Sequence, residues 1–235
     1  MTRARRTLAL ALFLPGVVAN SSVADGTVFR MIDVERVREA PRTGDQRALI
    51  VFDGRRETLV VETEVEHPST DMAWVLPTPT LVRAADVHEL RPAVFESLHY
   101  RTSPTERRIH PLTTALAKDD DGGDGAAPPV RVHEVVTVGA YRVTTLTASE
   151  SAGLADWLRE HGYAVPDNAE PVLGDYIDRG WAFTAIRVTD AEADLSGFTL
   201  RPIALSFDCD EAVFPLLISS LNPIDGPTEI TLYVA

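Results

Sequence analysis

Ala48-Leu49-Ile50-Val51-Phe52 runs into Asp53-Gly54, and Thr58-Leu59-Val60-Val61-Glu62-Thr63-Glu64-Val65 follows three residues later. The first five residues read as an apolar strand, Asp-Gly is a strong hairpin signal, and the second stretch alternates. Leu59, Val61, Thr63 and Val65 fall on one face of that second strand, while Glu62, Glu64 and Glu66 fall on the other. Strands joined by so tight a turn are antiparallel. The division of faces predicts a sheet packed on one side and wet on the other.

Working outward, residues 72–76 read as a short strand stopped by Pro77 and Pro79. A helix is expected over residues 85–98, where Pro92 makes it start late or kink. Residues 132–138, a Gly139-Ala140 turn and residues 141–146 form a second hairpin. Thr147-Ala148-Ser149-Glu150 has the spacing of a capping box. It announces a helix with Leu154, Trp157, Leu158 and His161 along one side and Gly162 as its C-terminal cap. Asn168 is placed to cap another helix, which tolerates Pro171 in its first turn, buries Val172, Leu173, Tyr176 and Ile177, and ends at Gly180. Residues 181–188, 200–209 and 229–234 read as closing strands. About eight strands and three helices result, which is an α+β chain with a mainly antiparallel sheet or sandwich.

The N-terminus carries an address. Arg3, Arg5 and Arg6 precede an apolar run over residues 8–14, Pro15-Gly16 breaks it, and Val17-Val18-Ala19 offers small residues for a signal peptidase. The run is far short of the roughly 20 residues that span a membrane, so residues 1–19 are expected to be a cleaved signal peptide, with an alternative cut after residue 24. Arg5-Arg6-Thr7-Leu8 also partly fits a twin-arginine signal, although an ordinary basic leader accounts for it. Cleavage removes three arginines and no acids, so 22 basic residues against 35 acidic become 19 against 35, and the net charge moves from −13 to −16. Such a surface repels phosphate backbones and anionic lipid, which excludes nucleic acid as a partner and leaves no membrane anchor. Cys209 is the single cysteine of the chain, so no internal disulfide forms. It continues the alternation Ile203, Leu205, Phe207 and reads as a buried, inert thiol.

Several stretches resemble a bacterial family, number 2330 in the domain-of-unknown-function series. They are Asp45-Gln46-Arg47-Ala48-Leu49-Ile50, Leu59-Val60-Val61-Glu62-Thr63, Ala73-Trp74-Val75-Leu76-Pro77-Thr78-Pro79, Val138-Gly139-Ala140-Tyr141, the Leu-x-x-Trp-Leu-x-x-x-Gly-Tyr run from Leu154 to Tyr163, and Arg179-Gly180-Trp181-Ala182-Phe183. They occur in order across nearly the whole mature chain. The resemblance implies an exported or envelope protein and carries no activity or site residues with it. Many members have a cysteine pair near the mature N-terminus and some a C-terminal membrane helix, and this chain departs from both patterns.

Chemistry is narrowed mainly by exclusion. Lys118 is the sole lysine, so there is no Gly-Lys-Ser/Thr phosphate loop and no Ser-x-x-Lys. Gly-x-Ser-x-Gly, Gly-x-Gly-x-x-Gly, His-Glu-x-x-His and Cys-x-x-Cys are absent as well, and no cofactor is implied. His88, His99 and His110 are eleven apart, which a continuous helix would align for a metal. Pro92, Pro104 and Pro111 argue against such a helix, and with His67 and His133 these read as solvated or structural histidines. Residues 118–129 are an acidic Gly/Pro linker loop between a β-rich part, 25–117, and an α+β part, 130–235, the two parts forming one compact domain. Asp119, Asp121 and Asp124 in it are weak metal candidates, but the calcium-loop spacing fails because Gly122 and Arg131 occupy ligand positions. Trp74, Pro77 and Pro79 are candidate binding residues, an aromatic beside prolines that could form a groove for an extended partner. Packing of Trp74 in the core, with the prolines ending the strand and protecting its edge, is the favoured reading. The leading expectation is a non-catalytic exported envelope module, periplasmic or secreted, that binds a protein or glycan. The alternative is a hydrolase with a dispersed acid/base site.

Overall fold

The computed structural model describes residues 27–30, 43–65, 72–102, 129–189, 200–221 and 229–235. Its strands form two five-stranded sheets. The first has the order β1 (Thr27–Arg30), β4 (Met72–Thr78), β8 (Ala182–Val188), β7 (Tyr141–Ala148), β6 (Val130–Val138), with every neighbour antiparallel. The second has the order β10 (Ile230–Val234), β2 (Thr43–Phe52), β3 (Arg56–Val65), β9 (Ile203–Asp208), β5 (Val87–Glu89), where only β10 and β2 run parallel. Each sheet draws strands from both sides of residues 118–129. With three α-helices, α1 (Ala93–Thr102), α2 (Ser151–Glu160) and α3 (Ala169–Ile177), and short 3-10 turns at Ala84–Asp86 and Leu216–Leu221, the chain is α+β.

Asp53-Gly54 joins β2 to β3 as the sequence predicts. Asp53 Oδ1 accepts the N–H groups of Arg55 at 3.0 Å and Arg56 at 2.8 Å, while Gly54 takes a φ of 94°. Leu59 and Val61 then point with Ala48, Ile50, Leu205 and Phe207 toward the first sheet, where they meet Trp74, Leu76, Tyr141, Val143 and Ile186. Strand alternation sends the neighbouring residues outward. That outer face is wet only in part: Glu64 is exposed as expected, but Glu62 is not. Phe95 of α1 packs over Val60 and Ala204, and Glu62 is 2% exposed. Glu62 is ion-paired with Arg47, whose guanidinium lies 5.5 Å from the centre of the Phe95 ring. Burial pushes the Glu62 carboxyl up and Arg47 opposes that shift. A polar residue in a strand marks a face, but not what lies over it.

Other expectations shift locally. Residues 85–98 are not one helix: a 3-10 turn and the short strand β5 precede Pro92, and α1 begins only after it, because proline supplies no N–H for an interior turn. β4 runs through Pro77 to Thr78 instead of stopping before it. Among the described residues β1 pairs with β4 as far as Val75, so Pro77 has a described neighbour on one side, β8, an arrangement that a proline tolerates. The capping box at Thr147–Glu150 does not form. Thr147 is still on β7 with its hydroxyl 2.9 Å from His133 Nε2, and Glu150 occupies the N-cap without a side-chain bond. β1 and β5 are additional to the strands predicted.

The sandwich is tied along the β5–β6 side by polar contacts. Glu89 on β5 accepts the Ala140 N–H at 2.7 Å and pairs with Arg201 at 3.0 Å, and the Tyr141 hydroxyl donates to the Arg201 carbonyl at 2.7 Å. Glu134 on β6 accepts the Ala84 N–H at 2.6 Å. Gly139, at a φ of 55°, lies so close to the Glu89 carboxylate that an added Cβ would displace it. Gly54 also has positive φ, but open space surrounds it. Gly54→Ala should therefore cost about 1 kcal/mol of backbone strain. Gly139→Ala should cost roughly 2–4 kcal/mol, because the Glu89 bonds go as well. In urea unfolding the excess should vanish in the Glu89→Ala background. Equal costs at the two glycines would contradict this reading.

Candidate functional site

The first sheet has its outer face covered by α2 and α3. Ala73, Val75, Leu146, Phe183 and Ala185 meet Leu154, Leu158, Leu173 and Tyr176 there. The helical stripe read from Leu154 and Leu158 is the buried side of α2. The cover does not extend over the whole face, since Arg142 and Arg187 are exposed. Beyond it the same face carries Arg142 and Thr144 of β7 and Arg187 of β8, which floor a cavity of about 210 Å³.

The wall is built by the end of α2. Gly162 reverses the chain at a φ of 88°, and the Tyr163 N–H returns to the Leu158 carbonyl at 2.9 Å, a glycine-dependent C-cap. The reversal brings Tyr163 within 6.4 Å of Trp157, ring centre to ring centre, while His161 stacks on Trp157 at 3.9 Å. His161 Nδ1 lies 2.7 Å from the Trp157 carbonyl. A carbonyl only accepts, so Nδ1 carries the proton and Nε2 is the nitrogen left for other contacts. Val132 and Val135 form the rim, 42% and 50% exposed.

Arg142 and Arg187 are direct partners in the β7–β8 register, and neither forms an ion pair with a described acidic residue. On α2 Asp156 is held by Arg159 at 2.9 Å. Burial pushes the Tyr163 hydroxyl up to about 12, against the pull of Arg187 and Arg142, so it is a neutral O–H at physiological pH. The pocket gathers two cations, an aromatic wall and hydroxyl groups, and no acid is among its described lining residues.

Residues singled out from sequence are placed elsewhere. Trp74 is 2% exposed in the core, 6.5 Å from the Tyr141 ring, on a strand with neighbours on both sides. Pro77 is buried and Pro79 half-buried, so Trp74 and Pro77 are not exposed to a partner. Asp119, Asp121 and Asp124 lie outside the described residues, as do His67 and His110. His88 is on β5 and His99 on α1, so no single helix aligns them. No group of three metal-ligating side chains comes together among the described residues. Arg142 and Arg187 were not signalled by any motif. Their proximity depends on the pairing of two strands far apart in sequence. Trp157 and His161 were visible only as helix-face residues.

A second, more open cleft of about 510 Å³ is lined by Asp53, Asp208, Asp210, Arg55, Thr80 and Cys209. Two of its acids are engaged, Asp53 in its own turn, which holds it below the usual carboxylate range, and Asp208 with Arg56 at 3.0 Å. Cys209 is half-buried, and its thiol is pushed up to about 11 by burial and then by the charge of Glu57. It therefore stays protonated and is a poor nucleophile. Glu57 behind it is 0% exposed. Burial pushes its carboxyl up to about 7, although Oε2 accepts the Val213 N–H at 2.7 Å.

An acid raised in the folded state stabilises the fold below its unfolded pKa and loses that contribution as pH rises through the folded value. For Glu57 the window runs from about 4.5 to about 7, with a slope of about 1.4 kcal/mol per pH unit for one proton. Glu57→Gln should flatten this part of the urea-midpoint profile and gain on the parent protein between pH 5 and pH 8. A difference between the two that is independent of pH would contradict the assignment.

Among the described residues no helix is long and apolar enough to cross a membrane. No curated protein matches the chain. Of solved structures, the crystal structure of baculovirus P35 is similar at a TM-score of 0.38 and 10% identity, over 72% of this chain and 54% of that one. The chain thus spans about half the length of that structure, and a likeness of this degree carries no functional argument. Residues 32–235 match the model of a family described as an uncharacterized protein conserved in bacteria, and the chain belongs to that family, number 2330 of the domains of unknown function.

Proposed function

We propose that this chain is a non-catalytic binding module of the bacterial envelope, exported by residues 1–19, which takes a glycan in the pocket between α2 and the uncovered end of the first sheet. The observation that carries the reading is the convergence of Trp157, Tyr163, Arg142 and Arg187 on one cavity of a chain whose net charge is −13. Aromatic side chains with a polar tip are the usual material of sites that hold one partly apolar, partly wet ligand. A sugar ring has that character.

The hydrolase alternative draws less support. Glu57 has the raised pKa wanted of a general acid near neutral pH, but it is sealed at 0% exposure. The open cleft beside it offers a protonated thiol, two carboxylates already engaged in a turn or an ion pair, and Asp210 alone beside them.

Two measurements bear on the proposal. N-terminal sequencing of protein from the periplasmic or secreted fraction should begin at Asn20, or at Asp25 after the alternative cut. Protein retaining Met1 and recovered from cytosol would contradict export. On an array of bacterial envelope glycans the mature chain should bind without releasing hydrolysis products, and Trp157→Ala should lose that binding. Release of sugar fragments at a rate dependent on a carboxylate would replace the proposal with the hydrolase.

A further inference from the structure

Resting on the pocket as a glycan site, we infer that its ligand is an anionic sugar, one ring against Trp157 with a carboxylate or phosphate between Arg142 and Arg187. Like charges placed directly opposite each other on neighbouring strands destabilise a sheet, and Arg142 opposite Arg187 is such a pair. Among the described residues Arg47, Arg56, Arg83, Arg159 and Arg201 are ion-paired, while Arg142 and Arg187, like Arg55, Arg91, Arg101, Arg131 and Arg179, are not. What distinguishes the two at the pocket floor is that they face each other across neighbouring strands and line one cavity. Their planar forks suit two-point contact with a carboxylate or phosphate, which would relieve the repulsion between them.

The neighbouring groups fit the same ligand. Tyr163 is a neutral O–H donor in the field of both arginines. Thr144 lies on the floor with them. At about 30 Å³ per water in the liquid, 210 Å³ corresponds to roughly seven waters, the scale of a single ring with its substituents. A long polyanion is disfavoured by the net charge of −13. The site therefore takes one acidic residue of a glycan.

The experiment uses the mature chain, residues 20–235, with the indole N–H resonances of its tryptophans as reporters. Glucuronate and glucose 6-phosphate are titrated beside glucose as the neutral ring and acetate as the bare anion. The two acidic sugars should shift the Trp157 resonance and spare that of Trp74, binding about tenfold or more tightly than glucose or acetate. The order between glucuronate and glucose 6-phosphate identifies the anionic group. Arg142→Gln and Arg187→Gln, both at exposed strand positions, should each weaken glucuronate or glucose 6-phosphate binding by about tenfold. Each should also raise the urea midpoint of the ligand-free protein by relieving the cross-strand repulsion. Glucose binding at Trp157 as tightly as glucuronate would overturn the anionic assignment and leave the glycan site standing. Acetate equalling the acidic sugars would overturn the ring. No response of Trp157 to any of the sugars would overturn both.

Discussion

Two strands of the first sheet are buried on both faces over most of their length. No residue from 73 to 76 on β4 or from 182 to 186 on β8 is more than 2% exposed. A strand buried on both sides reads as a continuous apolar run and needs a cover on each side. The second sheet supplies the inner cover through Leu59, Val61, Leu205 and Phe207, and α2 with α3 supplies the outer one. Each large apolar side chain so enclosed contributes roughly 1.5–3 kcal/mol relative to exposure, so neither cover is dispensable. The helices reach only as far as this apolar patch. Where β7 and β8 continue past it, the outer face turns to Arg142, Thr144 and Arg187, and the pocket is the step at the edge of the cover.

The second sheet solves the same problem with less material. α1 brings a single deeply buried side chain, Phe95, over Val60 and Ala204. Under its flank Arg47 and Glu62 neutralise each other. A buried ion pair of this kind adds little net stability, but loss of one partner leaves the other charge stranded. The sheets are held in register along one side by Glu89, which serves the Ala140 N–H and Arg201 together. This contact orients the β6–β7 hairpin, and that hairpin carries Arg142 to the pocket floor.

Legibility in the sequence followed the range of the signals. The Asp53-Gly54 and Gly139-Ala140 hairpins and the Gly162 and Gly180 helix ends are fixed by neighbours a few residues away, and they stand where the sequence places them. β1 and β5 have four and three residues, too few to show a period, and β5 is a strand only because distant β9 pairs with it. Thr147 and Glu150 had the spacing of a cap, but the Thr147 hydroxyl went instead to His133 on the neighbouring strand. The candidate site was the least legible part. Trp157, His161 and Tyr163 could be counted along a helix and its cap, but their meeting with Arg142 and Arg187 depends on the β7–β8 register and on where α2 stops. Trp74, the most suggestive residue by composition, belongs to the core because β4 is covered on both faces.

Side-chain footprinting with hydroxyl radicals tests that cover most directly, since it reads solvent contact residue by residue without a ligand. Trp157, His161 and Val135 should be oxidised readily, while Trp74, Phe183 and Leu158 should stay protected until the protein unfolds. Oxidation of Trp74 in the native state at the rate of Trp157 would contradict the two-sided burial of β4, and with it the position assigned to the pocket.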